Sequence, residues 1–489
     1  MDRRGFLCRA AGLLLASPPL TALVGACTRA TSTSTATTSA PPTAPPTSGP
    51  PRIPWDELAA GLHGRLIRPG TPGYPVARLA YDPRFDDIRP RAIVMTTTTG
   101  DVARTIRFAR DHGLPFAARC GGHSYGGYSL SDGIVIDVSE MATIRTGAGT
   151  ATVGAGAKVI DVAASFASAG SVIPAGTCPT VGISGLTLGG GQGIVGRRFG
   201  LTCDSLRAAR VVLADGRVVS CDASRQADLF WALRGAGGGN LGVVTSFTFA
   251  SHPLSAITAF SMSWPWSDAT DVVAAWQRWG PSAPAPLWSS CRLRWIPGTG
   301  PSVSVSGAWS GPPSGLARHL DELASASRHA PSRSTVTLSL LDAARYFAGC
   351  SSYSIDDCRL TEQGGLLMRE GSLAKSDFFD RSIDADVIRA ALGLIEARGA
   401  TTALAAQTAG VLFDAWGGTI ADVAPDATAF PHRGARFLAQ EFVTFHPELR
   451  DWLRAYYGDN LARLVDVKRR YDPDDAFRFA QSIPTTLPS

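Results

Sequence analysis

Two short stretches hold most of the chemistry that this chain could perform. The first, RCGGHSYGG at 119–127, sets His123 between the pair Gly121-Gly122 and the run Ser124-Tyr125-Gly126. Glycine carries no Cβ, so neighbouring N–H groups can converge on an anion, and after an apolar strand such a turn would suit a pyrophosphate. A plain glycine turn reads the same way. The second stretch, PAGTCPTVGISGLTLGGGQG at 174–193, embeds Cys178 among Pro, Thr and Gly and runs into a second cluster at Gly189–Gly191. Neither stretch follows the dinucleotide-binding pattern G-x-G-x-x-G with a helix and a downstream acid.

The flanking sequence supplies elements to position these groups. AIVMTTTT is β-branched and strand-like; GDVARTIRFARDHG has apolar residues at helical spacing, an early acid and Gly113 as a stop; LPFAAR is a second strand. This β-α-β unit delivers the histidine motif. Further on, GIVIDVS reads as a strand, KVIDVAASFASAG as a helix, and ARVVLADGRVVSC as a hairpin turning at Asp215-Gly216. DLFWALRGAGGGNLGVVTSFTFA reads as a short helix, a glycine-rich turn and a strand.

After His252 the texture changes. AITAFSMSWPW, LWSSCRLRWIP and SVSVSGAWSG alternate like antiparallel strands, and DATDVVAAWQRWG and SGLARHLDELASAS have helical spacing. The stretch from Pro447 predicts one amphipathic helix ending before Asp472-Pro473, with an extended tail. At 489 residues, 45% apolar and 18% charged, the chain has material for more than one core. The net charge of +5 is dispersed, without the Lys/Arg runs that track a phosphate backbone, so no nucleic acid partner is expected. No metal ligands are assigned.

The first 27 residues predict an address. Arg3-Arg4, Phe6-Leu7 and the apolar run after them follow the twin-arginine export pattern, and LVGAC resembles a lipoprotein cleavage box in which Cys27 would carry a lipid anchor. Simple cleavage nearby is the alternative. Residues 28–52 are nearly all Thr, Ser, Ala and Pro, the composition of a disordered tether. Past the leader stand Cys120, Cys178, Cys203, Cys221, Cys291, Cys350 and Cys358, an odd count that leaves a cysteine to be explained in an oxidising compartment. The expected location is extracytoplasmic.

Taken together, R-x-G-G-H-S, P-A-G-x-C-P-T-V-G, G-G-G-x-G, G-L-T-C-D-x-L, A-D-G-R-V-V, D-L-F-W-A-L-R-G and the terminal Y-Y-G-x-N…Q-S-I-P closely resemble the berberine-bridge-enzyme-like FAD-linked oxidases of the vanillyl-alcohol-oxidase and p-cresol-methylhydroxylase-type group. The resemblance covers the chain after Trp55. It implies an α+β protein: a two-lobed FAD-binding domain of p-cresol-methylhydroxylase type at 53–253, an α+β substrate domain with a large antiparallel sheet at 254–446, and a segment at 447–489 that completes the FAD domain. It implies bicovalent FAD, held through His123 and Cys178. Arg119, Gly121, Gly122, Ser124, Tyr125, Gly126, Pro174, Gly176, Thr177, Val181, Gly182, Gly185, Gly190, Asp204, Gly242 and Val243 match positions lining the cofactor, and Asn460 and Gln481 match positions near its ring. Cys350 and Cys358 look like a disulfide hairpin. Val181, three residues after Cys178, is small as in oxidases, which implies oxygen as acceptor.

The implied reaction is oxidation of an alcohol or hemiacetal of a small hydroxylated substrate, a carbohydrate or glycosylated metabolite, yielding hydrogen peroxide. The chain departs from the pattern at the base. Related members pass from F-P-H-R through strands carrying I-Q-Y and Y-x-N-Y, whereas here FPHRGARFLAQEFVTFH leads directly to PELRDWLRAYYGDN. The usual tyrosine is missing or replaced by Phe442 and Phe445, leaving Tyr125, Gln440, Glu441, Tyr456 and Tyr457 as catalytic candidates. A flavin dehydrogenase with another acceptor and a degenerate, non-catalytic flavin-binding protein are the alternatives.

Overall fold

The computed structural model describes residues 53–371, 374–400, 402–442 and 451–487. The leader, Cys27, the tether and Phe445 lie outside the described residues, as do the side chains of Glu441 and Phe442. No helix of the described residues is long and apolar enough to cross a membrane.

Three sheets carry the architecture. In the first, four strands lie in the order Arg65–Ile67, Ala92–Met95, Ile134–Asp137, Phe116–Arg119, the last three mutually parallel. Helix Thr99–Asp111 makes the crossover. The threonine run expected to extend its leading strand instead starts the helix: Thr98 accepts from the Asp101 N–H, and Asp101 accepts in return from the N–H groups of Thr98, Thr97 and His63. A side chain that can serve an orphan N–H is worth more at a helix start than at a strand end.

The second sheet is antiparallel, in the order Ile144–Thr146, Thr150–Gly154, Val243–Ala250, Leu206–Val212, Val218–Asp222. Its last two strands are the expected hairpin, with Gly216 at φ +77° in the turn. One apolar core joins both sheets to residues far along the chain, including Tyr457, Leu464, Val467, Phe477 and Ile483. The fully buried Lys468 fixes that return: its ammonium donates to the carbonyls of Asn240 and Phe477 and to Asp472 at 2.6 Å.

The third sheet has seven antiparallel strands in the order Ser332–Ser339, Ala256–Trp264, Gly300–Trp309, Leu287–Ile296, Ala409–Ala415, Phe437–Phe442, Ala374–Phe379. Helices Ala269–Ser282, Ala317–Ala324 and Ala385–Ala397 cover one face around Trp276, Phe413 and Phe437. The other face carries Ser290, Arg292, Asp414 and Gln440, with Ile257, Trp288 and Ala308 in an apolar cluster beside them. The terminal helix is not the single one expected: it divides into Trp452–Tyr457 and Leu461–Tyr471 around Gly458, whose φ of +49° an α-helix cannot accommodate.

Candidate functional site

The strand Phe116–Arg119 ends where the histidine turn begins. Among the described residues, none of the six main-chain N–H groups from Gly121 to Gly126 donates to a protein acceptor. Six consecutive donors without protein acceptors, on a half-buried glycine turn, can converge on an anion. Gly122 and Gly127 sit at φ +73° and +72°, and a Cβ on Gly121 would lie 2.3 Å from the Gly182 nitrogen, so the cysteine loop packs backbone to backbone against this turn. Buried Ser129 Oγ and Gln192 Nε2 also lack partners. This cradle fits the phosphates and polar edges of FAD.

Thr180 brings the two reactive side chains together. His123 Nε2 lies 2.8 Å from Thr180 Oγ1, and Cys178 Sγ lies 3.8 Å from the same oxygen. The Tyr81 ring stacks on the imidazole at 3.8 Å between centroids. Burial, with the nearby Lys158 charge, lowers the His123 pKa to about 4, so the ring is neutral at ordinary pH; with Nε2 on Thr180, Nδ1 is the nitrogen free to act as nucleophile. Burial raises the Cys178 thiol, while the Thr180 hydroxyl and the Thr180 and Val181 N–H groups pull it back. Lys158, buried at the head of helix Val159–Ser168, donates to the Cys120 carbonyl at 2.8 Å.

Other expected positions divide. Ser124 accepts from the Tyr128 N–H, and the Pro174 carbonyl accepts from Thr202. Gly176 and Thr177 line an apolar cavity of about 70 Å³ beside Val159 and Phe347. The Val181 carbonyl accepts from Val159, Gly190 packs on Phe430, and Gly185 has open space beside it. A Gly126 Cβ would meet the Tyr128 ring. Gln481 is half-buried in the tail.

The remaining assignments need correction. Arg119 pairs with Asp137 at 2.6 Å and donates to the Leu79 and Ala77 carbonyls, which leaves its guanidinium committed to the sheet edge. Asp204 takes a two-pronged ion pair from Arg433 at 2.7 and 2.8 Å and caps the Leu201 N–H; it ties the second sheet to the F-P-H-R turn. The Asn460 amide donates to the Pro425 and Thr428 carbonyls. Gly242 and Val243 pack within the second sheet, against Val211 and Val212. Tyr457 is buried and donates its hydroxyl to the Ala236 carbonyl, and burial raises its pKa, so it cannot serve as a base. Tyr456 is half-exposed, its carbonyl against His432. Cys350 and Cys358 are buried thiols in hydrogen-bond contact, not joined as a disulfide.

Across the cleft stands this other face of the seven-stranded sheet. Gln440 reaches over and hydrogen-bonds the Tyr125 phenol. Burial, then the charge on Cys178, raises the Tyr125 pKa despite that bond, so Tyr125 remains a phenol and orients rather than ionises. Tyr81 is raised more strongly, by burial and then by Glu370. A buried acid that the sequence reading did not weigh stands on the neighbouring strand. Asp414 lies opposite Ser290 and Leu438, one position diagonal to Gln440, and burial raises its pKa to about 7, against a smaller opposite pull from Arg292. Sequence reasoning missed it. The available signal was a lone acid at the outward position of GVLFDA, where Val411, Phe413 and Ala415 face the core.

Residues 90–222 match the family model described as FAD binding domain, and residues 442–484 the one described as berberine and berberine like. An uncharacterised FAD-linked oxidoreductase of Bacillus subtilis, YgaK, is 33% identical over 467 residues, covering 86% of this chain and 97% of its own. A chitooligosaccharide oxidase of Gibberella zeae is 28% identical over 460 residues, 83% of this chain and 89% of its own. A solved structure of Physcomitrella patens BBE-like 1 superposes with a TM-score of 0.78 at 28% identity, over 88% of this chain and 99% of its own.

Proposed function

The chain belongs to the berberine-like FAD-linked oxidoreductases, and from that premise we propose that it oxidises an alcohol or hemiacetal carbon of a carbohydrate or glycosylated metabolite, with oxygen as acceptor. The observation that carries this reading is Asp414: a carboxylate with a pKa of about 7, on the sheet face whose Gln440 meets Tyr125 above His123 and Cys178. A base works best when its pKa lies near the working pH. Bound FAD would supply the two-electron acceptor, taking hydride from the substrate carbon and passing the electrons to oxygen as peroxide.

The chain's own residues do the rest. Asp414 takes the hydroxyl proton, and Gln440 with Tyr125 holds the neighbouring oxygen. The amides of 121–126 hold phosphate, and His123 Nδ1 and Cys178 Sγ each bond covalently to the flavin ring. Export through the leader and retention by a lipid at Cys27 remain part of the proposal.

The test is anaerobic mixing of the purified holoenzyme with a panel of mono- and oligosaccharides. Bleaching of the flavin, with one peroxide per substrate on readmitting air, is the expected result. Bleaching without peroxide points to a different acceptor, and no bleaching by any member of the panel overturns the carbohydrate assignment.

A further inference from the structure

The face that carries Asp414 also carries two arginines that form no ion pair among the described residues. In the strand Leu287–Ile296, Cys291 and Leu293 point into the helix-covered core, so Ser290, Arg292 and Arg294 point the other way, toward the cleft. Arg292 lies between Ser304 and Leu412, and Leu412 adjoins Gln440; Arg294 lies between Ser302 and Gly410. Among the described residues neither guanidinium has an ion pair or a hydrogen bond, and Arg292 Nε is buried without a partner. Ser290 Oγ, fully buried beside Asp414, is also unpartnered.

The charges disturb each other. Burial lowers the Arg294 pKa, and Arg292 adds its repulsion. The carboxylate that acts on Arg292 is Asp414, and burial keeps that group protonated through most of the acid range. Arg292 is half-buried and Arg294 is exposed, so an anion lying along this face would meet one guanidinium partly shielded from water and a second at the solvent edge.

We propose that Arg292 and Arg294 bind the anionic group of an acidic carbohydrate, a uronic carboxylate or a sulfate ester, whose neutral hydroxyl carbon faces Asp414. The inference rests on the Asp414 reading and sharpens it to a substrate class. Successive outward positions on a strand are separated by roughly 7 Å, two rises of ~3.4 Å. Arg292 therefore addresses a substituent on the ring being oxidised, and Arg294 one on the next ring. The neighbours on this face, Ser302, Ser304 and Ser306, are small hydroxyls, which suit a polyhydroxylated ligand better than an aromatic or lipid one. A guanidinium fork matches both carboxylate and sulfate, and the two sources differ in how they respond to pH.

The experiment uses holoenzyme with three matched ligand sets: neutral oligosaccharides, oligogalacturonides and sulfated disaccharides. Steady-state kcat/KM is measured for each, and ligand binding is read separately from the flavin absorbance of Asp414→Asn. An acid-over-neutral preference of at least tenfold is expected, falling at least tenfold in Arg292→Gln and less in Arg294→Gln, through KM. Added salt should erode the same ratio. A preference for the sulfated set that persists to pH 3 identifies sulfate as the anion; a preference for the uronates that fades as their carboxylates take up protons toward pH 3 identifies carboxylate. Equal or better use of neutral sugars by the wild type overturns the proposal, as does an unchanged ratio in both arginine variants. If Asp414→Asn turns over normally while still binding acids selectively, the base assignment fails and the anion subsite stands.

Discussion

The cleft has two walls, and they are built on opposite plans. The cofactor wall is main chain: six free N–H groups, glycines at positive φ, and a turn packed against its neighbour so closely that a single Cβ would not fit between them. The substrate wall is side chain: a sheet face whose strand positions could hold almost any residue and here hold Ser290, Arg292, Asp414 and Gln440. Where backbone makes the site, the residue type is forced by geometry. Where side chains make it, the type is chosen by the ligand.

The sharpest way to break this comparison is at Asp414. Asparagine keeps the shape and removes the base, so kcat should fall by roughly 10²–10⁴-fold, the usual range for a positioned general base. The pH profile checks it independently. The acid keeps its proton below about 7, so kcat/KM should rise with pH through a single ionisation near 7 and level off above it; the variant should lose that limb. The raised pKa also has a cost in stability. The folded state holds a proton that the unfolded chain releases from about pH 4 upward, so this group erodes stability between about pH 4 and 7, and Asp414→Asn should flatten that slope in thermal unfolding. A variant with an unchanged profile would rule Asp414 out as the base.

On the other wall the corresponding change is Gly121→Ala. The added carbon meets the Gly182 nitrogen at 2.3 Å and the Thr180 carbonyl at 3.0 Å, backbone atoms that cannot rotate away. Overpacking of this kind costs about 1–3 kcal/mol, and here the strain falls on the turn that holds phosphate. Flavin content per chain should drop severalfold, with the far-ultraviolet spectrum of the protein preserved. Full occupancy would mean that the two loops separate more freely than their packing implies.

The two walls also differ in how far the sequence exposes them. Glycine where nothing else fits, a histidine inside a glycine turn and a cysteine between Thr177 and Pro179 are local patterns, and they led directly to the cradle. The hairpin at Asp215-Gly216 and the helix after Thr98 were legible for the same reason. Asp414 and Arg292 become neighbours only through the register of a sheet whose adjoining strands are more than a hundred residues apart in sequence, and no local pattern encodes that. Asp204 and Arg119 misled in the opposite sense. A charged residue inside a cofactor motif invites a cofactor role, yet both are consumed by partners, Arg433 and Asp137, that only the folded chain brings near.

The smallest expected effect tests how the cofactor wall is tuned. Thr180 touches both reactive side chains, and its hydroxyl fixes which imidazole nitrogen is left exposed. Thr180→Val keeps the volume and removes the oxygen; a single hydrogen bond of this type is worth about 0.5–1.5 kcal/mol, so neither folding nor flavin uptake should suffer much. Attachment should become slower and mixed instead. With Nε2 released, the His123 ring can present either nitrogen, and Cys178 loses one of the groups that hold its thiol down. Acid-denatured protein run on a gel reports this directly. His123→Ala should retain flavin through the cysteine alone, Cys178→Ala through the histidine alone with brighter fluorescence, and the double variant should release it. Thr180→Val should fall between wild type and the single variants, with a fraction of the flavin singly linked; a fully bicovalent product at the wild-type rate would show that the Tyr81 stack alone is enough to orient the ring.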